Sequence, residues 1–365
     1  MIDIAKIKTD LLCFGVRLGA EARQIGTIKN SYLLDGGFVH AAHFIIDGVV
    51  VNTCVSEEFC KQSPYEISIV NSECVLKKEG LIICPIEILP LPEWCLEKIE
   101  GYVIGDYLRP HSPNCISCSP ILQCAYDTIK TKCKFCSIGC KAYNDMLASK
   151  LPAYIIVKML ERALQHNSEY EIALSGGTSG GEDRSALYFA EICDMVTKHR
   201  KITRNISVEL APPEKDEYIE RLFDSGATSL IMNIEIVDEA QRSIICPGKS
   251  IIPLTRYFSA MKTAVSKFGR GRVSSVLIAG IQPSEDIVTI CKKLIPMGVI
   301  PTIIPFKPLD SCLMSNQLTA DPDEVLSIAE VVNVLLNMNE LNVHDQGGCT
   351  KCGGCSLESL FQMAL

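Results

Sequence analysis

The chain has 365 residues, of which 47% are apolar and 21% charged, and its net charge is −8. That length suits one large α/β domain with additions, or two domains, and the composition excludes a disordered chain. An acidic chain has no overall pull on nucleic acid or anionic lipid, so neither is expected as a partner.

Nineteen cysteines are present. In a short secreted chain they would be read as disulfides. Here residues 1–17 scatter Lys6, Lys8 and Asp10 among apolar residues, which fits neither a signal peptide nor a spanning helix. The longest apolar stretch, 80–95, is broken by Pro85, Glu87, Pro90 and Pro92. The expectation is a soluble cytoplasmic protein with reduced thiols, from a low-oxygen cell.

Residues 1–115 read as a β-rich N-terminal domain. Short β-branched or apolar runs at 31–34, 44–51, 66–70 and 81–86 are punctuated by Asp35-Gly36-Gly37 and Asp47-Gly48. Cys54, Cys60, Cys74, Cys84 and Cys95 are scattered there and read as small buried apolar residues. Residues 116–310 alternate strands (120–124, 171–175, 205–210, 229–236, 272–279, 300–305) with helices (153–166, 186–199, 214–225, 238–245, 254–268, 284–296). In the first helix Ile156, Met159, Leu160 and Ala163 share a face, and Gly226 stops the third. Six strand–helix units imply a parallel sheet, two units short of a closed barrel. The predicted fold is therefore α/β, a curved partial (β/α)6 TIM-like barrel. Residues 311–365 supply a last helix (322–341) and a cysteine-bearing tail.

Cys115, Cys118, Cys124, Cys133, Cys136 and Cys140 cluster at the head of the strand–helix series. Soft thiolates select zinc or iron–sulfur clusters. Two cysteine pairs, Cys115/Cys118 and Cys133/Cys136, have zinc-ribbon spacing. A cluster held by three cysteines would instead leave one iron open to a substrate. A second metal signal lies in the tail, where Cys349, Cys352 and Cys355 repeat at x2 spacing amid Gly347, Gly348, Gly353 and Gly354. Three ligands leave one metal position open or recruit a distant fourth such as Cys115 or Cys118. The histidines are dispersed; His40 and His43 form a loose pair that reads as structural.

Between these clusters, Ser175-Gly176-Gly177-Thr178 follows an apolar strand, and its glycines permit close backbone approach. No Gly-Lys-Ser/Thr follows, so it is not a phosphate loop. Glu209 ends the third strand, while Asn233 and Glu235 alternate on one face of the fourth.

With these residues in place, the chain resembles the radical S-adenosylmethionine superfamily over roughly 118–310. Phe135 just before Cys136 matches the aromatic residue that precedes the third cluster cysteine. The runs at 132–139, 278–280 and 349–355 resemble the radical enzymes found beside nitrilase genes; biotin synthase is a more distant likeness. The resemblance implies a [4Fe–4S] cluster on Cys124, Cys133 and Cys136, with Cys133, Cys136 and Cys140 as the rival trio. The eight-residue gap after Cys124 departs from the commonest spacing of three. It also implies S-adenosylmethionine held by Gly176, Gly177, Thr178, Glu209, Asn233, Glu235 and Arg242. Further expectations are a second [4Fe–4S] cluster on the tail cysteines, a low-potential donor such as ferredoxin or flavodoxin, and a small-molecule or carrier-bound substrate. Sulfur insertion or a related C–H functionalisation is the expected reaction. A non-enzymatic iron–sulfur or zinc protein is the alternative.

Overall fold

The computed structural model describes residues 3–24, 41–138, 147–200 and 205–362. The strand expected at 31–34, the turn at 35–37, His40 and Cys140 lie outside them.

The chain begins with a helix that the sequence reading missed, α1 (Ile4–Phe14), capped by Asp3, whose carboxylate accepts from the Lys6 amide. Its polar residues disguise it, because Lys8, Thr9 and Asp10 are all buried. Asp10 accepts from the Tyr65 hydroxyl at 2.9 Å and pairs with Lys78 at 3.2 Å. Lys8 donates to the Gly353 carbonyl at 2.8 Å. Strand β1 (Arg17–Leu18) follows, and then the hairpin β2 (Ala41–Ile46) and β3 (Val49–Cys54), which turns at Asp47-Gly48 as expected. Next come β4 (Tyr65–Val70), β5 (Glu73–Lys78), β6 (Leu81–Pro85), β7 (Glu87–Ile88) and the short hairpin β8 (Lys98–Ile99) and β9 (Tyr102–Val103). These strands form a four-stranded sheet β1-β4-β5-β6, a three-stranded sheet β3-β2-β7 and the β8-β9 pair.

The main sheet has seven strands in chain order: β10 (Leu108–Ser112), β11 (Cys115–Ile121), β12 (Glu171–Gly176), β13 (Ile206–Glu209), β14 (Ser229–Ile231), β15 (Val273–Ala279) and β16 (Val299–Pro305). β10 is antiparallel to β11, and every later pairing is parallel. Helices follow each parallel strand: α2 (Ala153–His166), α3 (Ala186–Arg200), α4 (Glu217–Asp224), α5 (Glu239–Ile245) with α6 (Leu254–Phe268), α7 (Ser284–Leu294) and α8 (Pro322–Met338). The apolar face expected for α2 is fully buried at Ile156, Met159, Leu160 and Ala163. The tail adds α9 (Gly348–Cys352) and α10 (Glu358–Phe361).

The sheet is curled, and the tail shows why it must be. Cys352 meets Cys115 on β11. A Cβ built on Gly348 would lie 3.4 Å from Ala173 on β12 and 2.8 Å from Ser207 on β13; one on Gly347 would lie 2.9 Å from Ser229 at the start of β14. Thr350 is 3.1 Å from Ser274 on β15 and 3.0 Å from Thr302 on β16. Six strands laid flat span about 24 Å, whereas a five-residue helix is about 7.5 Å long. One short helix and the glycine that caps it touch all six parallel strands because they wrap around it as a half-barrel. Small residues (Ala173, Ser207, Ser229, Ser274) line that inner face and leave room for the tail.

The first parallel strand lies several residues earlier than the expected 120–124. Pro113-Asn114 makes the β10–β11 turn, and pairing shifts register between Cys118 and Ile121, around Pro120, which has no amide to give. No described helix is long and apolar enough to cross a membrane.

Candidate functional site

The main cavity opens at the carboxyl ends of the parallel strands and has a volume of about 370 Å³. Its wall unites Cys124, Cys133, Phe135 and Cys136 with Gly176, Gly177, Thr178, Glu209, Asn233 and Glu235, and its floor includes Cys349. Residues separated by more than 200 positions thus share one chamber.

Cys124, Cys133 and Cys136 sit on the loop after β11. That loop is held at Ala125, whose amide donates to the Thr178 carbonyl at 2.7 Å, and at Lys134, whose amide donates to Ile245 at 2.8 Å. A turn closes from the Cys136 amide to the Cys133 carbonyl at 3.0 Å, and the Ile138 amide donates to the Cys136 sulfur at 3.4 Å. Lys132 pairs with the buried carboxylate of Asp127 at 3.1 Å. The Cys133 sulfur also lies close to Cys246 and the Glu235 carboxylate, the three donor atoms all within 4.8 Å of one another. Contact with Cys246, together with burial, pushes the Cys133 thiol up; burial does the same to Cys124 and Cys136. Cys246 was not foreseen, since no spacing links it to the cluster.

The glycine turn serves the packing of the cysteine loop. A Cβ on Gly177 would sit 2.5 Å from the Gln123 carbonyl oxygen and 2.8 Å from the Cys124 Cα; one on Gly176, whose φ is +146°, would sit 2.7 Å from the Ile121 oxygen. Both glycines let β12 nest against the segment that presents Cys124. Asn233 and Glu235 lie just beyond the end of β14, not on it. Asn233 donates to Glu209 at 2.6 Å and accepts from the Val276 amide at 3.0 Å. Glu235 holds a left-handed backbone, φ +66°, a strained conformation for a glutamate. Its carboxylate pairs with Lys249 at 2.9 Å. Burial pushes the Glu209 carboxyl up, against the pull of Lys249. For Lys249, burial works against the charge, but Glu235 foremost, then Tyr257 and Cys133, outweigh it and hold the ammonium well above its usual range.

Arg242 is not brought to the cavity. It is 1% exposed, donates to the Ile252 carbonyl at 2.7 Å and lies 4.8 Å from the Tyr257 ring centroid. Its place on α5 turns it toward the segment leading into α6. Among the described residues, Lys249, Arg184 and Arg109 bring cationic side chains to the wall. Arg184 already serves the Pro212 carbonyl at 2.7 Å and Glu214 at 3.2 Å. None of these was foreseen, because a lone Lys or Arg on a loop carries no pattern.

The zinc-ribbon pairing does not assemble. Cys115 and Cys118 lie three apart on one strand, so they point to opposite faces. Cys118 is packed in the core that also holds Leu160 and does not line the cavity that receives Cys133 and Cys136. A Cys118→Ala variant should therefore keep its full metal content while losing about 1 kcal/mol of stability; metal analysis after anaerobic purification checks this.

At the floor, the tail cysteines meet β10 and β11. Cys115 and Cys352 share a hydrogen bond that pushes Cys115 up and holds Cys352 well below the usual thiol range. The His111 ring is within hydrogen-bonding reach of Cys349 and Cys352. Burial opposes its protonation, but those contacts outweigh burial and raise it well above the usual imidazole range. Asn52 stitches the parts together. Its amide donates to the Gly354 carbonyl at 2.9 Å, its Nδ2 donates to the His111 carbonyl at 3.0 Å, and its Oδ1 lies 2.8 Å from His43 Nδ1. Burial pushes His43 down to about 4.

Comparison with known proteins adds the following. Over 152 residues, 41% of this chain, it is 25% identical to bacteriochlorophyllide c C-7(1)-hydroxylase of Chlorobaculum limnaeum. The match spans 38% of that protein's length. Among solved structures it is similar to HydG, a maturase of the [FeFe]-hydrogenase, with a TM-score of 0.48, 13% identity, and coverage of 61% of this chain and 49% of that one. No family model matches.

Proposed function

We propose that this chain is a radical S-adenosylmethionine enzyme. The observation that carries the reading is the convergence of Cys124, Cys133 and Cys136 with Gly176, Gly177, Thr178, Glu209, Asn233 and Glu235 on one chamber. The donor set fits a [4Fe–4S] cluster: three soft thiols leave one iron open, and the opposite wall offers backbone edges, an amide and a carboxylate–ammonium pair to an amino-acid and ribose group. Bound there, the cluster supplies one electron to the sulfonium of S-adenosylmethionine, whose cleavage gives methionine and a 5′-deoxyadenosyl radical that takes hydrogen from a substrate carbon.

The chain's own residues do the rest. Gly176 and Gly177 seat the Cys124 segment and present backbone to the methionine amino group. Glu209 and Asn233, bonded to each other, face the ribose hydroxyls. Lys249, in place of Arg242, meets the methionine carboxylate. Phe135 and the curled sheet keep water from the reacting carbon.

The substrate is a small molecule or carrier-bound group, and the electron comes from a low-potential donor such as ferredoxin or flavodoxin. The tail cysteines hold a second [4Fe–4S] cluster at the chamber floor. Sulfur insertion, with that cluster as donor, is one outcome. Oxidative C–H functionalisation, with that cluster as electron acceptor, is the second, favoured by the hydroxylase named among the similar proteins. The test is electron paramagnetic resonance of the dithionite-reduced, reconstituted chain before and after adding S-adenosylmethionine. A changed cluster signal supports the reading, and an unchanged one counts against it. Turnover that stops near one per chain selects sulfur donation; sustained turnover selects the acceptor role.

A further inference from the structure

We infer that the tail centre takes His111 as its fourth protein ligand, beside Cys349, Cys352 and Cys355. This rests on the reading of the tail as an iron–sulfur site. The β10–β11 hairpin delivers two donors to the tail, and the geometry separates their roles. His111 reaches both Cys349 and Cys352 and lines the chamber together with Cys349. The Cys352 sulfur lies 3.7 Å from the His111 backbone carbonyl, so the tail is seated directly on this residue. Cys115 instead meets Cys352 from the neighbouring strand. That is the place of a hydrogen bond to a ligand sulfur, which tunes a cluster without closing it.

The hairpin and the tail are also built to hold this register. Asn52, 3% exposed, ties the Gly354 carbonyl to the His111 carbonyl. His43 stands behind with its ring centroid 5.5 Å from that of His111 and its Nδ1 engaged by Asn52. Gly353 at φ +66° turns the chain at the end of α9, two residues before Cys355. Imidazole in place of a fourth thiolate removes one negative charge and raises a cluster's reduction potential.

The test uses the full-length Cys124→Ala, Cys133→Ala, Cys136→Ala chain, reconstituted with iron and sulfide and reduced with dithionite. Its tail centre is then read alone, and the result is independent of whether S-adenosylmethionine is ever cleaved. Pulsed electron paramagnetic resonance with ¹⁵N-histidine labelling should show a directly bound imidazole nitrogen. His111→Ala should remove that coupling, while His43→Ala and Cys115→Ala should keep it. His111→Cys, which preserves a four-donor set, should retain the iron, lose the nitrogen coupling and lower the potential. No nitrogen coupling in the parent, a coupling that survives His111→Ala, or a chain that takes up no iron at the tail would each overturn the inference.

Discussion

Replacing Cys124, Cys133 and Cys136 together by alanine is expected to lower bound iron from about eight ions per chain to about four, as one of two [4Fe–4S] clusters is lost. The same variant should form no 5′-deoxyadenosine above background. The three thiols all line one chamber, which Cys349 of the second group also lines, and the tail is tied to β10, β11 and α1. The tail does not depend on the trio for its shape: Asn52 on β3 donates to the Gly354 carbonyl, Lys8 on α1 donates to the Gly353 carbonyl, and Thr350 bonds to Ser274 on β15 and Thr302 on β16. Iron that falls to zero would mean that the tail holds no cluster. Iron that stays at about eight would mean that the trio is not a ligand set.

Lys249→Met carries the next largest effect. The Lys249 and Glu235 side chains are 12% and 13% exposed and 2.9 Å apart. Removing one partner of a buried pair leaves the other charge without compensation, at a cost of about 3–5 kcal/mol. Denaturant unfolding of the metal-free protein should show that loss, and Glu235→Gln added to Lys249→Met should recover most of it. Binding of S-adenosylmethionine should weaken in both variants, because the ammonium is the proposed partner of its carboxylate. A single variant as stable as the parent would show that the pair is screened by solvent, and unchanged binding would remove Lys249 from the site.

The strand–helix rhythm was legible because long apolar faces repeat at helical spacing; α2 and α6 match the expected 153–166 and 254–268 at both ends. So was the convergence of Cys124, Cys133, Cys136, Gly176, Gly177, Glu209, Asn233 and Glu235, since loops after parallel strands gather at one end of a sheet. Helix α1 was not legible. Its buried Lys8 and Asp10 find their partners on Gly353, Tyr65 and Lys78, none of which a local pattern can show. Arg242 was assigned by likeness to a ligand role, but its helix is short and turned toward Tyr257. His43 was read with His40 as a structural pair, and His111, 68 positions further on, was passed over. Strands β2 and β10 bring them to the tail, and Asn52 on β3 fixes them there. Cys115 and Cys118 illustrate the limit of spacing: the x2 gap suggests a shared metal in a loop, but in a strand it sends the two sulfurs to opposite faces.

Cleavage of S-adenosylmethionine at the thiol trio would leave 5′-deoxyadenosine. The most direct measurement is 5′-deoxyadenosine formed by the anaerobically reconstituted chain given S-adenosylmethionine and dithionite, with iron and zinc counted on the same sample. The iron-loaded chain should form 5′-deoxyadenosine. An iron-loaded chain that forms none with candidate substrates present, or a chain that takes zinc in place of iron, for which Cys133, Glu235 and Cys246 are close enough, would contradict it.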